Sequence, residues 1–168
     1  VQVFVNSMVR MPLPELDIKE SQKKGEKALS VYYKTYKGAG INKNILSEFD
    51  IKGVHLSVNN DPKFEPVLLR GRIDRIDLAG PRGERSEFYG VGVVDYKSGR
   101  PKSRNAIMGK TYNSTGNEYR QLLFYKILLD RYKEGRYKVV TGEIVFVEPT
   151  YPSGNIKSEK FEIPDNDV

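Results

Sequence analysis

Hydrophobic and polar positions change period several times along this chain. Between Glu15 and Lys37 the run ELDIKESQKKGEKALSVYYKTYK is rich in helix formers, with Ala28, Leu29, Tyr32, Tyr33 and Tyr36 at three- and four-residue spacing after Gly25. One helix is predicted there, or two broken near Gly25, its tyrosines packing in a core or interface. After the Gly/Asn loop KGAGINKN, ILSEFDIKGVHLSV reads as a strand or a hairpin that stops at the turn signal NNDP, residues 59–62. PVLLRGRIDRIDLAG, residues 66–80, alternates enough to be a strand. PRGERSE is a polar turn and FYGVGVVDYK a second strand, so the two form an antiparallel hairpin.

SGRPKSRNAIMGKTYNSTG is a long irregular segment, a kind that in compact domains is usually functional or mobile. Thr115 and Glu118 form a T-x-x-E capping box ahead of a helix over YRQLLFYKILLDRYKEG. Leu122, Tyr125, Leu129 and Tyr132 mark its apolar face, and Gly135 is its stop. YKVVTGEIVFVEPT reads as another strand, densest from Glu143 to Val147 and ended by Pro149 and Pro152, while SGNIKSEKFEIP adds an edge strand. The order helix, strands, helix, strand predicts an α/β fold, a mixed central sheet flanked by helices.

Composition narrows the classes. The chain has 168 residues, which predicts one domain large enough to bury a real core. Its mean hydropathy is -0.56, and no apolar run approaches the roughly 20 residues of a membrane span, so a soluble, cytoplasmic protein with no membrane partner is expected. The lack of cysteine excludes a disulfide framework and a thiolate metal site. A start at Val1 and an end on PDNDV read as a piece of something longer. The net charge of +6 is unevenly spread: residues 97–138 carry 11 Lys/Arg against 3 Asp/Glu. A concentrated basic segment fits a polyanionic partner, nucleic acid first, although a solvated basic face would look the same.

The candidate chemistry lies at the end of the second hairpin strand. Asp95 and Lys97 project to the same face, in phase with Val91 and Val93, while Tyr96 points the opposite way. The neighbouring strand brings Asp74 beside Asp95. Two carboxylates that close repel unless a cation lies between them, and oxygen ligands without a Cys or His cluster select Mg²⁺ or Mn²⁺. A metal held by Asp74 and Asp95 suits phosphodiester hydrolysis, with Lys97 orienting or deprotonating the water or stabilising the pentacoordinate phosphate. The plain structural alternative is an Asp95–Lys97 ion pair at a strand end. Asp77 competes with Asp74, but in a regular strand it faces away and pairs with Arg75 or a neighbouring arginine; a bulge at Gly71 would change that phase. His55, the only histidine, lies in a strand and reads as structural.

The ordered set LRGRIDRIDL, GVVDYKSGRP and YRQLLFYKILL resembles the three motifs of the RecB-like nuclease family within the PD-(D/E)XK superfamily. This version is similar to the C-terminal nuclease domain of UvrD/Rep-type, AddAB-like helicase–nucleases. The likeness spans about residues 66–132, with weaker likeness in KKGEKALSVYY and SEFDIKGVHLSV. It implies a restriction-endonuclease-like fold, metal binding by Asp74, Asp95 and the main-chain carbonyl of Tyr96, and a catalytic role for Lys97. Gln121 and Tyr125 match the family's Q-x-x-x-Y motif, beside the active site and in contact with nucleic acid. One departure stands out: the family's upstream histidine, in a pattern like G-x-x-x-H, has no counterpart before residue 50. Glu48 occupies a strand position where relatives often carry Glu.

The resemblance implies a Mg²⁺-dependent deoxyribonuclease, an exonuclease acting in DNA repair and recombination. Its partners would be DNA and a helicase portion of the same polypeptide or a partner subunit. Arg100, Lys102 and Arg104 are the basic residues expected nearest the site and on the DNA backbone. The rival is a nuclease-fold module with an incomplete metal site that grips DNA for an attached motor; more distant is an unrelated α/β domain.

Overall fold

A computed structural model of the chain describes residues 1–37, 44–57, 64–81 and 89–165, and of Ala79, Gly80 and Pro81 the backbone alone. The elements run α1 (Gln2–Met8), α2 (Glu15–Tyr36), β1 (Ile45–Leu56), β2 (Val67–Pro81), β3 (Tyr89–Lys97), α3 (Arg104–Ile107), α4 (Asn117–Arg131), β4 (Tyr137–Phe146) and β5 (Lys157–Glu162). The sheet order is β1-β2-β3-β4-β5. β1 and β3 both run antiparallel to β2. β3 and β4 run the same way, since the Tyr89 N–H reaches Arg136 O at 3.0 Å and Gly92, further on, faces Thr141. The sheet is therefore mixed, as the sequence predicts. The loops predicted over KGAGINKN, NNDP and PRGERSE fall largely outside the described residues.

The chain divides into two compact units. One comprises residues 1–42, 97–101 and 146–157, the other 43–96, 102–145 and 158–168. In the first, α2 runs unbroken through Gly25, and the Phe4 ring of α1 occupies the place a side chain would take there: a Cβ would lie 2.2 Å from its Cζ. Lys24 of α2 also pairs with Glu148 at 2.7 Å.

In the second unit, β1 is one strand, not a hairpin. Its register against β2 shifts between Ile51 and Val54, at Gly53, whose φ of 75° suits a bulge. Gly71 itself stays in register with Ile51, so the phase of β2 is not altered there. Gly71 serves the helix packing instead. A Cβ there would come within 2.6 Å of Leu128 Cδ1, so its bare backbone lets α4 approach the sheet. Gly142 does the same on β4, where a Cβ would lie 2.9 Å from Leu122 Cδ1 and 2.7 Å from Ile163 Cδ1. Leu122, Leu128 and Leu129 are fully buried with Ile51, Ile73, Ile76 and Val91.

The ends of α4 differ from the sequence expectation. Thr115 is not its cap: Gly116, with a left-handed φ of 69°, precedes the helix and no side chain caps it. Glu118 pairs instead with Lys102. The helix stops at Arg131, short of Gly135, and Tyr132 turns into an aromatic group with Phe49 (5.7 Å between ring centroids) and Tyr137 (6.4 Å).

Lys126 locks α4 in place. It is 2% exposed, and its ammonium donates to Asp130 Oδ2 (2.7 Å), Asp165 Oδ1 (2.9 Å) and the Val139 carbonyl (3.0 Å). Asp130 Oδ1 in turn accepts the Val139 N–H at 2.8 Å, so helix and strand β4 are joined through both main-chain groups of Val139. Burial alone would lower the Lys126 pKa, but the hydrogen bonds to Asp130 and Asp165 and their charges more than reverse it, and the net shift is upward.

Both features can be tested through stability. Gly142→Val should overpack the α4 contact and lower stability by about 2 kcal/mol, read as an earlier urea midpoint at constant slope; an unchanged midpoint would show that α4 is not seated there. Lys126→Met should cost about 3 kcal/mol, at the low end for a broken buried pair because Asp165 is largely exposed. With the folded pKa raised, the Lys126 contribution is complete below 10.5 and lost as pH climbs through the folded value. Melting curves of wild type and variant should therefore converge in alkali; a gap that persists there contradicts the clamp.

Candidate active site

The β2–β3 register pairs Leu78 with Val91, Ile76 with Val93 and Arg75 with Val94. Carried one residue further, it sets Asp74 opposite Asp95, so both side chains leave the same face. The regular pairing ends there, and the Tyr96 N–H donates to Asp74 Oδ2 at 2.8 Å. A side chain has replaced the backbone as acceptor at the strand end.

Asp95 is 2% exposed. The Tyr125 hydroxyl of α4 donates to its Oδ1 at 3.1 Å, and the Gln121 amide, one helical turn earlier, donates to the Tyr125 oxygen at 2.7 Å. Burial first, then the charge of Asp95, with a smaller push from Asp74, raises the Tyr125 pKa far above the ordinary tyrosine range, against the pull of the Gln121 hydrogen bond. Tyr125 is therefore a fixed proton donor at any working pH.

Magnitudes decide what that place needs. At the ~5 Å typical of directly opposed residues, two like charges repel by roughly 3 kcal/mol at an effective dielectric near 20. Desolvating a buried carboxylate adds several kcal/mol. The hydrogen bond from Tyr125, one to a charged acceptor, returns about 1.5–3 kcal/mol, and positive charge near the pair offsets more. Asp74, Asp95 and the Tyr96 carbonyl are the groups that could hold a metal cation there. Among the described residues no group of three or more His, Cys, Asp or Glu converges on a metal position. Two carboxylates nonetheless fit Mg²⁺, which is commonly held by one or two, with waters and substrate phosphates completing its six positions.

The other residues singled out in the sequence fall as follows. Lys97 is the last residue of β3; it belongs with Arg100 to the first compact unit, where its carbonyl accepts the Val147 N–H at 3.0 Å and Arg100 is exposed. Lys102 is paired with Glu118. Arg104 lies 4.1 Å over the Phe161 ring and donates to the Lys160 carbonyl at 2.7 Å. Glu48 is exposed, 3.8 Å from Arg72, and His55 is exposed opposite Leu68; neither joins a metal-binding group among the described residues. Asp77 pairs with Arg75 at 2.9 Å, as its strand phase predicts. Sequence reasoning missed Lys126, although a Lys four residues before an Asp on the same helix was a usable signal.

The model of the PD-(D/E)XK nuclease superfamily matches residues 7–166. No curated protein matches the chain. One solved structure, "Crystal structure of SSO0001", is 18% identical over 89% of this chain with a TM-score of 0.42, and the chain spans 57% of its length. With the family model matched over almost all of its residues, on a mixed five-stranded sheet, this chain belongs to the PD-(D/E)XK nuclease superfamily.

Proposed function

We propose that the chain is a RecB-like, divalent-metal-dependent deoxyribonuclease domain that cuts DNA in repair or recombination as part of a helicase–nuclease. Superfamily membership implies metal-dependent nuclease chemistry and DNA as the partner. The observation that carries the residue assignment is Asp74 set against buried Asp95 where the β2–β3 ladder ends, with Tyr125 donating into the pair.

In this reading Asp74, Asp95 and the Tyr96 carbonyl hold Mg²⁺ or Mn²⁺. When bound, the ion supplies positive charge against the charge growing on the phosphate and makes a water more acidic. Lys97 orients or deprotonates the attacking water, or stabilises the pentacoordinate phosphate. Gln121 and Tyr125 fix the direction of the Asp95 carboxylate through their relay, and Gln121 also meets the nucleic acid. Arg100, Lys102 and Arg104 contact the phosphate backbone; Lys102 and Arg104 keep 46% and 49% of their side-chain surface exposed beside their acidic partners. Such contacts make binding salt-dependent and largely indifferent to sequence. The rival, a DNA-gripping module without catalysis, draws on the two-carboxylate shell and the missing upstream histidine.

End-labelled single- and double-stranded DNA should be cleaved with Mg²⁺ or Mn²⁺ and not with EDTA. Asp95→Ala should abolish cleavage and Lys97→Ala should slow it about a hundredfold or more. DNA binding that survives both substitutions, with no cleavage by wild type in either metal, would sink the enzyme and leave the module. Tyr125→Phe removes only the hydroxyl that orients Asp95, so a well-folded variant should cleave roughly 10- to 100-fold more slowly. An undiminished rate would show that Asp95 does not need Tyr125.

A further inference from the structure

The motif residues Arg75, Asp77 and Tyr96 supply no side chain to the chemistry above, yet they form one connected group. Arg75 opposes Val94 in the β2–β3 register, and Tyr96 lies two residues beyond Val94, so Arg75 and Tyr96 meet on the sheet face opposite Asp74 and Asp95. There Arg75 Nη1 donates to the Tyr96 hydroxyl at 2.8 Å, and its guanidinium carbon lies 5.8 Å from the centre of the Tyr96 ring. Arg75 Nη2 donates to Asp77 Oδ2 at 2.9 Å. The Arg75 side chain is 19% exposed, which makes its contacts stronger than those of a surface ion pair.

Tyr96 is consequently gripped from both faces of the sheet. Its side chain is tied to β2 on one face through Arg75, and its N–H is tied to β2 on the other through Asp74 Oδ2. These two bonds replace the backbone ladder where it ends, at the residue whose carbonyl is the third candidate ligand. A peptide unit rotates only as far as its anchors allow. Holding the Tyr96 N–H through Asp74 and the Tyr96 ring through Arg75 fixes the preceding peptide unit and the Cα, which limits how far the next unit, with the Tyr96 carbonyl, can swing from the Asp74 carboxylate.

We propose that Arg75 and the Tyr96 side chain, braced by Asp77, are positioning groups that build the metal site from the reverse face of the sheet. These side chains touch neither substrate nor metal. The proposal rests on the metal-site reading of Asp74 and Asp95, and it accounts for the arginine and second aspartate of G-x-I-D-R-I-D and for the tyrosine between Asp95 and Lys97.

The test is Mn²⁺ binding to EDTA-stripped protein, by calorimetry or electron paramagnetic resonance, with the metal-free melting temperature measured alongside. Tyr96→Phe, which keeps the ring, and Arg75→Gln should stay folded and bind Mn²⁺ about 10- to 100-fold more weakly. The double variant should be little worse than the weaker single one, since both break the same link. Asp95→Asn distinguishes loss of positioning from loss of the site itself. If Asp95→Asn loses Mn²⁺ while folded Tyr96→Phe binds it as tightly as wild type, the positioning role is wrong and the site stands. If Asp95→Asn also binds normally, both fall. Should Arg75→Gln fail to fold, the Tyr96→Phe comparison decides alone.

Discussion

Asp74 and Asp95 face each other across β2 and β3 where regular pairing ends, and the repulsion between them has to be met by the groups around them. One side of Asp95 is met by a hydrogen bond from Tyr125, one side of Asp74 by the Tyr96 N–H. Neither bond carries a full charge, and positive charge beside the pair, from a side chain or a bound metal ion, lowers the cost further. A domain whose purpose was stability alone would do better with an apolar pair at this position. Two carboxylates at one strand end, one of them 2% exposed, are what makes this place a candidate site.

Helix α4 makes the arrangement rigid enough to use. It carries Gln121 and Tyr125 on the side that meets Asp95, Leu122 and Leu128 against the bare backbones of Gly142 and Gly71, and Lys126 locked to Val139 and Asp130. The glycines set how closely the helix approaches, and the lysine sets its place along the strand. A shift of either would move the Tyr125 hydroxyl off the Asp95 oxygen. Packing and site geometry are thus one constraint, in the way a catalytic group depends on the rigidity of the elements beneath it.

Much of this could be read from the sequence, for identifiable reasons. The hairpin and its paired aspartates were legible because strand side chains alternate strictly, so the spacing of Asp74, Asp77, Asp95 and Tyr96 fixes their faces. The helix around Gln121 and Tyr125 was legible from its apolar period. Its start was not: a capping box is a local signal, and here Glu118 is claimed by Lys102, sixteen residues away. The same holds for Arg104, whose partners lie on β5, and for Lys126, whose third partner Asp165 is 39 residues on. The bulge at Gly53 was not legible, since a glycine beside a helix, such as Gly71, and a glycine in a bulge look alike until the register is known. Charge runs show that basic side chains are present, but not which of them are already paired.

The most direct test is anomalous diffraction at the manganese edge from crystals of the protein soaked in Mn²⁺. If the two carboxylates hold a divalent cation, a peak will lie between Asp74 and Asp95, about 2.1 Å from an oxygen of each, with the Tyr96 carbonyl as a third neighbour. A well-ordered site with no peak between the two aspartates, or Mn²⁺ bound elsewhere while they stay empty, would contradict it.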